Sequence, residues 1–140
     1  MTLAAAALLL LSAPAAPDAA PARVVLEAQL AAWNRGDLDA FMETYWKSPE
    51  LLFRSNAATT RGWQATVERY RKRYLSEGRE MGQLRFEELE VEALAPGVAF
   101  AHGAWRLAFR DGKTAQGRFT LLLRERPEGW RIVYDHSSGE

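Results

Sequence analysis

From residue 24 the chain carries apolar side chains at helical spacing: Val24, Leu26, Leu30 and Trp33, with Ala28, Ala31 and Ala32 among them, recur through Asn34. The pattern predicts a first helix, with Gly36 placed where a helix end favours a left-handed residue. Asp37 is a side-chain cap for a second helix over Leu38–Trp46, which must stop before Ser48-Pro49 because the residue before proline disfavours the α region. Leu51–Ser55 reads as a short strand. A third helix is expected over Trp63–Tyr74, with Trp63, Val67, Tyr70 and Tyr74 in one apolar stripe and Arg69, Arg71, Lys72 and Arg73 on a solvated face. From residue 83 the period changes to two. Gln83–Leu94, Val98–Phe109, Thr114–Arg124 and Trp130–Ser137 read as four strands, divided by the turn signals Pro96-Gly97, Asp111-Gly112 and Pro127-Glu128-Gly129.

Three helices followed by an antiparallel meander give an α+β fold class. Alternation divides each strand between two faces. Phe119, Leu121 and Leu123 share one face, and Arg118, Thr120 and Arg124 lie on the other. Trp130, Ile132, Tyr134 and His136 oppose Arg131, Val133, Asp135 and Ser137. On the second long strand His102 shares the inward face with Val98, Phe100 and Ala104, which leaves Trp105, Leu107 and Phe109 on the outer side. Such an outer patch needs a cover, and a second copy of the chain supplies one, so a homodimer through the outer sheet face is expected.

The first 22 residues differ from the rest. Ten are alanine, none is Lys or Arg, and Leu3–Leu11 is an apolar run followed by Ser12-Ala13-Pro14-Ala15-Ala16-Pro17. The pattern reads as a secretory signal with a small-residue cleavage zone at Ala13-x-Ala15, although Met1-Thr2 lacks the usual basic residue. The run is too short to span a bilayer core. The expected organisation is a leader over residues 1–22 and one domain over 23–140, periplasmic or secreted in its mature form, or cytoplasmic if the leader does not act as a signal.

Composition then narrows the chemistry. Eighteen Lys and Arg balance eighteen Asp and Glu, so the basic footprint of a nucleic-acid binder is missing. With no cysteine and only His102 and His136, disulfides, thiolate metal sites, a cysteine nucleophile and multi-imidazole sites are excluded, and no metal or cofactor is expected. Glu87, Glu88, Glu90 and Glu92 form a solvated strand face without calcium-loop spacing.

The run Gln29-Leu-Ala-Ala-Trp33-Asn-Arg-Gly36-Asp37-Leu-Asp-Ala-Phe41, then Tyr45-Trp46-Lys-Ser-Pro49-Glu50, Arg61-Gly62-Trp63 and the ending Gly129-Trp130-Arg-Ile132-Val133-Tyr-Asp-His136-Ser137-Ser138, resemble the nuclear-transport-factor-2-like superfamily. Within it the chain is most similar to SnoaL-like domains of unknown function, related to the association domain of calcium/calmodulin-dependent protein kinase. The resemblance implies a cone: a strongly curved antiparallel sheet around three helices, with a pocket at one end, in most members as a homodimer. It does not fix a function, because this fold serves enzymes and inert scaffolds alike.

In ketosteroid isomerase-like members a tyrosine of the first helix and an aspartate of the first strand do the chemistry. By position from Gly36-Asp37 these correspond to Gln29 and Ser55, and neither can replace them. SnoaL-type cyclases use a histidine and aspartates in the cone, and this chain has His102, His136 and Asp135. Asp135 and His136, as strand neighbours, point to opposite faces and form no dyad. Two readings follow. The first is a binding or association domain for a small apolar or aromatic ligand, its cone lined by Trp33, Tyr45, Trp46, Phe53, Trp63, Tyr70, Phe100, Phe119 and Tyr134. The second is a SnoaL-like isomerase, cyclase or hydrolase that transfers protons through His102, with His136, and takes Tyr45 or Tyr134 as a hydrogen-bond donor.

Overall fold

A computed structural model describes residues 13–140, so the apolar run Leu3–Leu11 lies outside the described residues. Ala13–Asp18 are exposed and without secondary structure. Helix α1, Ala20–Asn34, begins with Pro21 in its first turn, where the missing N–H costs nothing. Ala22 in its first turn is fully buried. Gly36 takes φ +75°, and Asp37 caps helix α2, Leu38–Glu43, by accepting the Ala40 N–H at 2.9 Å.

Helix α2 is shorter than its apolar pattern suggests. Residues 44–46 are drawn onto the sheet instead: the Trp46 N–H donates to the Ile132 carbonyl and the Ile132 N–H to the Thr44 carbonyl, both at 2.9 Å. Strand β1, Leu52–Ser55, pairs with β2, Ala58–Arg61, a strand with no apolar alternation to announce it. Helix α3, Trp63–Arg71, runs on into a π-helical turn, Lys72–Ser76. Strands β3 (Gln83–Ala95), β4 (Val98–Ala108), β5 (Thr114–Arg126) and β6 (Gly129–Gly139) complete one sheet in the order β2-β1-β6-β5-β4-β3. Every pair is antiparallel except β1 with β6. No helix among the described residues is long and apolar enough to cross a membrane.

Register shifts at three places, between Glu87 and Glu90 and between Ala93 and Ala95 in β3 and after Ile132 in β6, bend the sheet around the helices. In β3 the extra residue falls between Glu87 and Glu90, where Glu88 takes φ +52° opposite Gly103. A methyl group at Gly103 would meet the Glu87 carbonyl oxygen at 3.0 Å and the Phe119 ring at 3.2 Å, so glycine is what lets this bend close. In β6 the bulge follows Ile132: Leu123 faces Ile132 while Leu122 faces Tyr134. It inserts one residue into the alternation, and Ile132 and Asp135 therefore lie on the same, inner face, both buried.

The inner face of β4 is Ala99, Ala101, Gly103, Trp105 and Leu107, not the Phe100–His102 set. Ala99 and Ala101 are fully buried, and Trp105 and Leu107 further along the strand line the cavity. The outer face mixes Val98, Phe100 and Ala104 with His102 and Arg106, and its apolar members resemble those of the inner face closely enough that the two are easily exchanged. Trp105, Leu107 and Phe109 thus belong to the interior of the cone and are not an outer patch for a partner. The core proper joins Leu26, Ala32 and Trp33 of α1, Leu38, Phe41 and Met42 of α2, and Phe119, Leu121, Leu123 and Ile132 of the sheet.

Candidate functional site

The open end of the cone is a cavity of about 540 Å³. One wall is an aromatic cluster from the helices and β1. Trp33 meets Phe41 edge-on at 5.0 Å and Tyr74 at 5.2 Å, and Tyr70 contacts Phe41, Phe53 and Tyr74 at 5.4, 5.9 and 6.0 Å. The sheet supplies the facing wall with Phe86, Trp105, Leu107, Phe109, Phe119 and Leu121.

At the floor sits one carboxylic acid. Asp135 is 3% exposed and accepts two hydrogen bonds of 2.7 Å, from the Tyr45 hydroxyl on Oδ2 and from the Ser137 hydroxyl on Oδ1. Burial, working against these two bonds, pushes its pKa up from 3.8 to about 6. Tyr45 is itself buried, and burial together with the Asp135 charge raises its pKa well above the ordinary tyrosine value, so it remains a donor. Gln29 also reaches the cavity and donates through Nε2 to Thr44 Oγ1 at 3.1 Å. Tyr70 lines the cavity between floor and mouth, and its hydroxyl has no hydrogen-bond partner among the described residues. Burial, followed by the Asp135 charge, raises its pKa. No grouping of His, Asp and Glu among the described residues has the arrangement of a metal site.

Of the residues named from sequence, Trp33, Tyr45, Phe53, Tyr70 and Phe119 line this cavity together. Four do not. Trp46 lies under the Arg126 guanidinium at 4.2 Å; Trp63 donates through Nε1 to the Met42 carbonyl and borders a separate groove with Lys47 and Arg61. Phe100 and Tyr134 occupy the outer face of the sheet, where Leu122 stands between them in the cross-strand row.

Both histidines are outside the cone. His102, Thr120, His136 and Arg54 form one row across β4, β5, β6 and β1, so the two imidazoles do share a face, but it is the outer one. His102 Nε2 lies 3.5 Å from Glu90 Oε2 with its side chain 45% exposed, and His136 is exposed. The reason is the same in each case: the inner positions of β4 are 99, 101 and 103, and the β6 bulge turns Asp135 inward and His136 outward. The expectation that Asp135 and His136 point to opposite faces agrees with this arrangement, with the faces exchanged.

Sequence reasoning also missed two groups of cavity residues. Asp135 and Ser137 were hidden by the bulge, which has no signature in the residue pattern. Arg69 and Arg73 were read as part of a solvated face, yet both line the cavity, while Arg71 points away and pairs with Asp39 at 2.9 Å. The available signal was spacing: Arg69, Tyr70, Arg73 and Tyr74 fall at i, i+1, i+4 and i+5, one side of a helix.

Comparison with known proteins places this geometry in a family. A family model described as a SnoaL-like domain matches residues 23–139. An NTF-2 like protein of unknown function from Shewanella oneidensis is 38% identical with a TM-score of 0.77, over 85% of this chain and 97% of that one. A nuclear transport factor 2-like superfamily protein from Salmonella enterica (24% identity, TM-score 0.68, 83% and 86% covered) has a similar structure. So has a ketosteroid isomerase-like protein from Erwinia carotovora (22%, 0.68, 86% and 95%). No curated protein matches the chain. The chain belongs to the SnoaL-like domain family and has the nuclear-transport-factor-2-like fold.

Proposed function

We propose that this domain binds a small, predominantly apolar or aromatic molecule in the cone, with a polar group of the ligand meeting the Asp135–Tyr45 pair at its floor. The observation that carries the reading is the cavity itself: about 540 Å³, walled by aromatic rings, with one buried acid at the bottom. Its volume falls in the range of small-molecule sites, and apolar walls with a few converging polar groups are their usual composition. Aromatic faces favour a flat ligand. Calorimetric titration with 2-naphthalenemethanol tests it. Saturable one-to-one binding is expected, and Ala115→Trp, which narrows the cone from its rim, abolishes it in a folded protein; binding that is absent, or indifferent to that substitution, refutes the reading.

A second reading is favoured by Asp135 alone. A buried carboxyl held near pKa 6 takes and returns protons close to neutrality, as general acid–base catalysis requires. Under this reading the proton-transfer role expected of His102 and His136 falls to Asp135, and Tyr45 is the donor beside it. Deuterium uptake into the acidic C–H positions of 2-tetralone, catalysed by the protein and lost in Asp135→Asn but not in His102→Ala, supports it. Equal uptake by both variants excludes it.

A further inference from the structure

The mouth of the cone carries a charge pattern that an apolar ligand leaves unused. Arg69, Arg73 and Arg79 all line the cavity, and among the described residues none of the three takes part in an ion pair. The acids nearby are already engaged. Glu80 Oε1 accepts from the Arg110 backbone N–H at 3.0 Å and from its Nε at 3.2 Å, Asp111 lies 3.7 Å from the Lys113 ammonium, and Asp135 is held by Tyr45 and Ser137.

The three guanidiniums are brought together by the fold. Arg69 and Arg73 are four residues apart across the junction of α3 and the π-helical turn, and the Arg79 N–H donates to the Arg73 carbonyl at 3.2 Å, folding the following segment back onto that turn. Two are held in place by aromatic faces: Arg69 Cζ lies 5.6 Å from the Phe53 ring centre and Arg73 Cζ 5.6 Å from that of Tyr74. Arg69 also donates to Thr60 Oγ1 at 3.3 Å. All three positive charges act on the Tyr74 hydroxyl, where they oppose the effect of burial on its pKa. Like charges spaced four apart on a helix repel. Among the described residues no carboxylate pairs with this cluster, Glu80 and Asp111 at the same mouth being engaged by Arg110 and Lys113, and a guanidinium fork matches a carboxylate in shape.

We propose that the ligand of the cone is an amphipathic carboxylate, an apolar ring or short chain ending in a carboxylate, whose charged end is held at the mouth by Arg69, Arg73 and Arg79. The inference rests on the reading that the cone is a binding site, and it adds the ligand's chemical class and orientation. The apolar body lies between Tyr70 and Trp33 on one side and Trp105 and Phe119 on the other, and points toward Asp135.

The test is calorimetric titration of the full domain with two matched pairs: 2-naphthoate against 2-naphthalenemethanol, and octanoate against octanol. The acids are expected to bind about tenfold or more tightly than the alcohols, the difference a charge-assisted hydrogen bond supplies. Arg73→Gln and Arg79→Gln are each expected to weaken the acids by about tenfold and to leave the alcohols unchanged. These side chains are at the surface, so circular dichroism of both variants should match that of the parent. If acids and alcohols bind alike and neither substitution discriminates between them, the carboxylate inference is overturned while the cone remains a binding site. If none of the four compounds binds, both readings fail.

Discussion

Replacing Asp135 by asparagine isolates the group on which the floor of the cone depends. The acid is 3% exposed, and burial moves its pKa from 3.8 to about 6. That is about a hundredfold in proton affinity, or about 3 kcal/mol of difference between its charged and neutral forms in the folded protein. The sign follows from the raised value. Below the unfolded pKa, near 3.9, the acid is neutral in both states and its burial carries no charge penalty. As pH rises through about 6 the folded protein must ionise a buried carboxylate, whereas the unfolded chain has already released the proton into water. The stability linked to the neutral acid is therefore complete below about pH 3 and lost by about pH 7. Asparagine has no such transition, and every other titrating group is common to both proteins. The stability of the parent minus that of Asp135→Asn should fall by roughly 3 kcal/mol across this interval. Urea unfolding at a series of pH values measures it, with the two-state treatment suited to a small single domain. Tyr45→Phe adds an internal check: it removes a hydrogen bond that lowers the Asp135 pKa, so the same fall should shift to higher pH. A stability difference that stays flat from acid to neutral pH refutes the picture of a buried, proton-holding carboxyl.

Other consequences are simpler to check. His102→Ala and His136→Ala should leave affinity for cone ligands unchanged by calorimetry, because both imidazoles are on the outer face. Gly103→Ala should cost about 1–3 kcal/mol in urea unfolding, since the added methyl meets the Glu87 carbonyl oxygen and the Phe119 ring at the bend of the sheet. The partly buried outer row of Phe100, Leu122, Tyr134 and Leu52 is the face on which we propose that two copies meet. Light scattering should then give twice 15.7 kDa for the full chain and a monomer for Leu122→Glu; a monomeric parent rejects the pairing.

The helices and long strands were legible because their patterns are strong: the Asp37 cap, the Gly36 corner and the period of two after residue 83 all appear where the sequence placed them. Strand β2, Ala58–Arg61, was not legible, because it pairs only at the sheet edge and buries little. The site was harder to read than the fold. Helical wall residues such as Trp33 and Tyr70 follow from an apolar stripe, but which strand residues face inward depends on the path of the sheet. On β4 apolar residues stand on both faces, and the inner one is marked by fully buried Ala99 and Ala101, while His102 and Arg106 mark the outer. On β6 one inserted residue near Val133 reverses every assignment beyond it, exchanging His136 for Asp135. Alternation is a two-valued code, and a single bulge inverts the rest of the strand. The arginines were misread for a related reason: a charge run on a helix looks solvated until the fold sets a cavity beside one of its sides.

The most direct test of the binding account uses the five tryptophans. Trp33 and Trp105 line the cavity, with indole N–H groups donating to the Met81 and Ser138 carbonyls, whereas Trp46, Trp63 and Trp130 lie outside it. In a titration with 2-naphthoate followed by NMR, the account predicts that the indole N–H resonances of Trp33 and Trp105 shift to saturation together while the other three stay in place. Shifts confined to Trp46, Trp63 or Trp130, or no saturable shift at any indole, would contradict it.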